Sequence, residues 1–282
     1  MASDIRKRVN QARRVAWGIV RLTIIGCSGS FPGPDSPASC YLVEAEGFRL
    51  LVDFGSGALG ALQRYVGLYE IDAIWISHLH ADHCLDLCCY SVARTWHPDG
   101  PRPQIPVYGP SQAAVRLGRA LTADPAAAAA GAADRGHGIT DAFGFTTITP
   151  GTTQIGPLRV TAERMSHPVE TFGLRLEHGG AVLAYSADTG ETDALMRLAR
   201  DADLLLCEAS LVEPGPQGPA LPQGLHLTGR QAAQYAARAG VGQLVLTHLA
   251  PWNDAARTLD EAEQAFGGPM SLASSGLGIV LA

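Results

Sequence analysis

From Arg21 onward, short apolar runs closed by glycine or proline set the rhythm of the chain. RLTIIG (21–26), CYLVEA (40–45), EGF (46–48) and RLLVDFG (49–55) predict a meander of strands, interrupted by the turn-rich CSGSFPGPDSPAS (27–39). GALGALQRYVG (57–67) predicts a helix capped by Gly67. IDAIWIS (71–77) predicts a buried strand that ends at Ser77 and delivers HLHADH at its carboxyl end. The proline-rich stretch from Arg94 to Pro110 and the low-complexity ADPAAAAAGAADRGHG (123–138) read as a surface excursion, partly helical and mobile, ahead of FGFTTITPG (143–151).

The second half repeats this style. LRVTAERMSH (158–167), TFGLRLEHGG (171–180), AVLAYSADTG (181–190), LLLCEAS (204–210) and QLVLTH (243–248) predict strands ending at polar or metal-binding residue types. ALMRLARDA (194–202), TGRQAAQYAARAG (228–240) and DAARTLDEAEQAFGG (254–268) predict helices, the last a solvent-facing layer ended by Gly267. LVEPGPQGPALPQGL (211–225) is too rich in proline and glycine for regular structure and predicts a loop over the site. Periodicity alone establishes a mixed α/β chain; the two similar halves suggest a four-layer αββα sandwich.

Composition narrows the class. With 282 residues, 46% hydrophobic and 17% charged, the chain can bury one large core, expected over residues 21–282 as a single domain. The formal net charge of −6 argues against a broad basic surface for long nucleic acid and favours a small substrate. Residues 1–20 form a basic extension with Arg6, Lys7, Arg8, Arg13 and Arg14. The following apolar stretch is interrupted by Arg21 and lacks a cleavage signature, so neither a signal peptide nor a membrane segment is expected. Six cysteines without regular spacing read as reduced thiols, and the cytoplasm is the expected location.

HLHADH concentrates His78, His80, Asp82 and His83 immediately after an apolar strand. Imidazole and carboxylate are ligands for zinc, and alternating positions leaving a strand let His78 and His80 face one site while Asp82 and His83 face another. Metal-free surface histidines are the plain alternative, but four such groups in six residues weigh against it. His167, Asp188 and His248 each follow a β-like run and are candidates to complete two sites. A carboxylate such as Asp188 can bridge two cations, leaving a position for a water whose pKa falls towards about 7. GSGALG lacks the G-K-[ST] ending of a phosphate-binding loop.

HLHADH reproduces the H-x-H-x-D-H signature of the metallo-β-lactamase superfamily, and the later His, Asp and His stand in its order, so most of the chain resembles that family. The resemblance implies two Zn2+, with Mn2+ or Fe as substitutes. His78, His80 and His167 would hold the first metal and Asp82, His83 and His248 the second, with Asp188 bridging and Asp53 supporting the ligand loop. True β-lactamases usually carry cysteine where Asp188 stands. Glu208 in CEAS and His226 in HLTG resemble the acid and histidine motifs of ribonuclease Z and its phosphodiesterase relatives, which implies leaving-group protonation by His226. Without that resemblance they read as a strand-end carboxylate and a loop residue before the N-cap Thr228. Asp82 joins Glu208 and His226 among the expected catalytic residues.

Ribonuclease Z usually grips transfer RNA with an arm between the positions of His167 and Asp188, where this chain has room only for a hairpin. GCSGSFPGPDSPASCYLVEA, LVDFGSGALGALQR, SHLHADHCLDL, SHPVETFGLRL and LTHLAPW are most similar to bacterial cyclic-nucleotide phosphodiesterases of this fold. That similarity implies hydrolysis of a small phosphodiester such as cyclic AMP, with no membrane partner and often a homodimer. Gly29 and Ser30 are expected to shape the pocket. Ala187 departs from the S-G-D of relatives. Lactone, thioester or other cyclic-phosphate hydrolysis, ribonuclease Z-like RNA 3′ processing, and nucleotide sensing without turnover remain as alternatives.

Overall fold

The computed structural model describes residues 18–122, 138–214 and 220–282. Two seven-stranded sheets pack face to face. The first contains β1 (Val20–Gly26), β2 (Cys40–Ala45), β3 (Phe48–Val52), β4 (Ala73–Trp75), β5 (Ile105–Gly109), β6 (Phe143–Thr147) and β14 (Gly278–Leu281), in the order β14-β1-β2-β3-β4-β5-β6. The second contains β7 (Gly151–Ile155), β8 (Leu158–Arg164), β9 (Phe172–His178), β10 (Ala181–Tyr185), β11 (Leu204–Glu208), β12 (Gln243–Thr247) and β13 (Met270–Leu272), in the order β13-β12-β11-β10-β9-β8-β7.

The continuous apolar runs follow from this layering, because a strand covered on both faces has no polar side to alternate with. Along β11, Leu204 and Leu206 enter the core between the sheets, whereas Leu205 and Cys207 face the outer helices. Along β3, Leu50 and Val52 point inward and Leu51 outward. Outside the first sheet lie α1 (Ala58–Leu62), α2 (Ala81–Cys84), α3 (Asp86–Thr95), α4 (Ala113–Leu121) and α5 (Ile139–Ala142). Outside the second lie α6 (Asp193–Ala199), α7 (Gly229–Ala239) and α8 (Ala255–Glu263). The expected αββα sandwich is the observed one.

Each sheet is antiparallel on one side and parallel on the other: β3 to β6 run parallel, as do β10 to β13. A parallel block lines up its carboxyl ends along one edge, where loops of several strands converge on a common site.

Several boundaries differ from the sequence expectation. The helix begun at Ala58 ends at Leu62, because Arg64 and Tyr65 bond three residues back and the chain tightens into turns. Strand β4 stops at Trp75 instead of Ser77, whose backbone N–H is diverted to the Asp53 carboxylate at 2.7 Å. The stretch from Arg94 to Pro110 contains β5, and α3, α4, β13 and β14 are additional elements. α7 has both its expected ends: Thr228 and Gln231 form a capping box, and Gly240 closes it in the left-handed conformation. Residues 1–17 and the Ala-rich 123–137 lie outside the described residues. All six cysteines are free thiols. No helix among the described residues is long and apolar enough to cross a membrane.

Candidate metal centre

The carboxyl ends of both parallel blocks meet at one place. β3 leads into Asp53, β4 into Ser77 and His78, β10 into Asp188, β11 ends at Glu208 and β12 leads into His248. His80 immediately precedes α2, which carries Asp82 and His83, and His167 follows β8. All seven candidate ligands come together in two groups: His78, His80, His167 and Asp188 in one, and Asp82, His83 and His248 in the other.

Within the first group, His78 Nε2 and His80 Nδ1 lie 3.0 Å apart, and His167 Nε2 lies 3.3 Å from His80 Nδ1. Within the second, His83 Nε2 lies 3.1 Å from His248 Nε2, and Asp82 Oδ2 lies 3.1 Å from His248 Nε2. Asp188 stands between them, with Oδ2 3.5 Å from His78 Nε2 and Oδ1 3.3 Å from His83 Nε2.

A family model described as a beta-lactamase superfamily domain matches residues 49–249, which span every one of these ligands. The chain belongs to the metallo-β-lactamase superfamily. It is 44% identical over 253 residues to the Mycobacterium tuberculosis protein Rv1339, covering 89% of this chain and 88% of that one. It is 30% identical over 260 residues to the metallo-β-lactamase fold protein YhfI from Bacillus subtilis, covering 91% of this chain and 98% of that one. The YhfI crystal structure superposes with a TM-score of 0.77, covering 93% of this chain and 99% of that one. Ribonuclease Z of Myxococcus xanthus is 29% identical over 308 residues, covering 93% of this chain and 98% of that one. The chain is accordingly a metal-dependent hydrolase.

The hydrogen-bond pattern of this metallo-β-lactamase-fold hydrolase fits cations at the two groups. His83 Nδ1–H donates to Asp53 Oδ2 at 2.7 Å, and His167 Nδ1–H donates to the Leu225 carbonyl at 2.9 Å. Ser210 gives its hydroxyl proton to the His248 carbonyl, so its oxygen accepts from His248 Nδ1–H at 2.6 Å. Ser77 likewise gives its proton to Asp53 and accepts from His78 Nδ1–H at 3.1 Å. With their outer nitrogens committed as donors, these four rings turn Nε2 to the centre, where it holds either a proton or a metal. Lone pairs converging within 3.5 Å repel unless a cation lies among them. Asp188 Oδ1, buried without any hydrogen-bond partner, poses the same demand. Imidazole and carboxylate donors suit zinc.

Electrostatics agree. Burial opposes the charged form of Asp188, yet His248, His83 and His78 hold its carboxyl well below the usual range. Burial also opposes ionisation of Asp82, but the His248 hydrogen bond and His83 outweigh it. Burial alone would lower the His83 pKa, while Asp188 and Asp53 together raise it well above 6.5. Asp82 and Asp188 are thus buried carboxylates held ionised, and their charge demands cationic partners.

Glu208 and His226 form a second layer above the ligands. Glu208, 1% exposed, accepts from Thr189 N at 2.7 Å and from His226 Nδ1 at 2.9 Å through Oε1, and from Ser210 N at 3.2 Å through Oε2. His226 lies with its ring centroid 5.4 Å from that of His167 and 5.7 Å from that of His248. Burial would lower its pKa, but the Glu208 carboxylate pushes it up to about 9. The loop predicted over the site does reach it: Leu225 holds His167, although Gly215 to Pro219 lie outside the described residues.

Sequence reasoning missed Ser77, Tyr185 and Ser210. Tyr185 donates to Asp53 Oδ2 at 2.7 Å and so shares the carboxylate that orients His83. The available signal was position, since Ser77 precedes His78 directly and Ser210 stands two residues after Glu208. Ser30, expected near the pocket, donates its backbone N–H to Asp82 Oδ2 at 2.8 Å.

Proposed function

We propose that this hydrolase is a phosphodiesterase that opens a small cyclic nucleotide such as cyclic AMP to the nucleoside monophosphate. The observation that carries the reading is the His226–Glu208 pair at 2.9 Å beside the ligand groups. A ribose alkoxide leaves phosphorus poorly unless it is protonated, whereas carbonyl hydrolysis of an activated ester has less need of such an acid. Glu208 accepts from Nδ1–H, fixing the ring and leaving Nε2–H to donate to the departing oxygen. As the water oxygen forms its bond to phosphorus, the P–O bond to ribose breaks with its electron pair on the ribose oxygen, which takes the His226 proton; the proton given up by the water restores His226.

His78, His80 and His167 would hold one metal and Asp82, His83 and His248 the other, with Asp188 shared. When bound, the metals supply Lewis acidity and water acidic enough to ionise near neutral pH. Asp53, Ser77 and Ser210 hold the ligand rings in their orientation, and Ser30 N–H helps keep Asp82 ionised in place.

The net charge of −6 and the tight β9–β10 hairpin, turned at Gly179 and Gly180, favour a small substrate over transfer RNA. The test is a panel of cyclic AMP, a lactone, a thioester and a precursor transfer RNA offered to the metal-loaded protein. Preferential turnover of cyclic AMP is the expected result; turnover confined to the lactone or thioester would overturn the reading.

A further inference from the structure

A cavity of 560 Å³ opens directly beside the ligand His80. Its volume lies within the range of small-molecule sites, roughly 300–1,000 Å³. Leu79, Pro110 and Val169 give it mainly apolar walls. Glu170 also lines it, but its carboxylate is committed to Ser111 N and Oγ, at 2.9 and 2.8 Å, and to Arg164 at 3.6 Å. Those bonds fasten the loop after His167 to the start of α4.

Two polar side chains in the lining form no hydrogen bond or ion pair among the described residues, Arg116 exerting only a through-space pull on the Cys84 and Cys88 thiols. Gln112 is the N-cap of α4 and Arg116 stands one turn later, so both occupy the same helix face. Both are exposed, and neither the Gln112 amide nor the Arg116 guanidinium has a hydrogen-bond or ion-pair partner among the described residues. A slot with apolar walls, a planar cation and one amide carrying both a donor and an acceptor matches a flat heteroaromatic ring with a mixed polar edge. Guanidinium planes stack on bases, and a glutamine amide pairs with the N6 donor and N7 acceptor of adenine. Guanine presents two acceptors at the corresponding edge and leaves the glutamine oxygen unsatisfied.

We infer that the adenine base of the substrate occupies this cavity, stacked on Arg116 and hydrogen-bonded by Gln112, while its phosphodiester lies at the metal centre. The inference rests on the phosphodiesterase reading and adds to it the origin of base specificity. Gln112 and Arg116 are specificity determinants and take no part in bond breaking. An aromatic pair lies on the loops that follow β1 and His248, where Phe31 and the 71% exposed Trp252 lie 4.8 Å apart, centroid to centroid. It offers stacking and a single indole N–H donor, without the paired donor and acceptor that would separate adenine from guanine.

The test is steady-state hydrolysis of cyclic AMP, cyclic GMP and the base-free cyclic phosphate of methyl ribofuranoside. The proteins are the metal-loaded parent, Gln112→Ala, Arg116→Ala, Trp252→Ala and, as a control on the same helix, Arg119→Ala. Gln112→Ala is expected to raise KM for cyclic AMP roughly tenfold or more, leave kcat and the base-free substrate unchanged, and erase the preference over cyclic GMP. Arg116→Ala raises KM for both nucleotides, and Arg119→Ala changes nothing. Unaltered nucleotide KM in both cavity variants, or loss of the adenine preference in Trp252→Ala alone, would overturn the inference and leave the phosphodiesterase reading standing. A parent that hydrolyses none of the three substrates would overturn both.

Discussion

Asp53 carries more of the site than its place outside the ligand groups suggests. Its carboxylate accepts from Ser77, Tyr185 and His83, and it sits at φ 57°, a left-handed conformation that costs a non-glycine residue roughly 1–2 kcal/mol. Ser30, Ala187 and His248 share that conformation, at φ 65°, 50° and 58°, so backbone strain gathers around the ligands. In Asp53→Asn, an amide N–H turned towards His83 Nδ1 would favour the wrong tautomer. Zinc affinity, measured by competition with a chelating dye, should fall about 10- to 100-fold. At Ala187 the effects nearly cancel: glycine would relieve the left-handed strain but lose a buried methyl worth about 0.8 kcal/mol and add unfolded-state entropy. Ala187→Gly should therefore shift the denaturation midpoint by less than about 1 kcal/mol of stability.

The His226 imidazole has a raised pKa in the folded chain, from 6.5 to about 9, so its pair with Glu208 stabilises the protein fully below about pH 6.5. That contribution is lost as pH rises through about 9. In metal-stripped protein, urea denaturation between pH 6 and pH 10 should show this decline. Glu208→Gln should flatten it, and a decline of the same size in that variant would contradict the assignment.

Among the elements, the joints between loops and ligands required close backbone approach. A Cβ built at Gly55 would overlap the Asp82 carbonyl oxygen, and one at Gly29 the His248 carbonyl oxygen. Gly55→Ala should therefore push α2 away from β3 and lower metal content together with thermal stability, which metal analysis and a melting curve would read. Elements with strong punctuation were legible in the sequence: α7 has its capping box and terminal glycine, and β11 its unbroken apolar run. The metal motif was legible for the same reason, being six contiguous residues. α1 was overestimated because nothing local reveals that residues 63–66 turn instead of continuing, and α3 was missed because CCYSVART gives a weak apolar stripe. Ser77, Tyr185 and Ser210 were illegible because their roles depend on partners brought close only by the meeting of two sheets.

On the scale of the whole molecule, each half contributes one parallel block, and the site exists only where their carboxyl ends face each other. The first half supplies Asp53, His78, His80, Asp82 and His83; the second supplies His167, Asp188, Glu208, His226 and His248. A cation bound between them ties the halves together, so it stabilises the folded chain by about 2.7 kcal/mol when its free concentration is a hundredfold above Kd. Chelation should lower Tm and re-addition of Zn2+ should restore it; an unchanged Tm would mean that the groups do not hold metal.

The most direct measurement compares the parent and His226→Ala, with equal metal content verified, on cyclic AMP and on bis(p-nitrophenyl) phosphate. An acid that protonates a ribose oxygen matters greatly for an alkoxide and little for nitrophenolate. The expected result is a loss of about 10²- to 10⁴-fold in kcat on cyclic AMP, with nearly unchanged turnover of the nitrophenyl ester. Equal losses on both substrates, no loss on cyclic AMP, or a metal-loaded parent inactive on both would contradict phosphodiester hydrolysis with His226 as the acid.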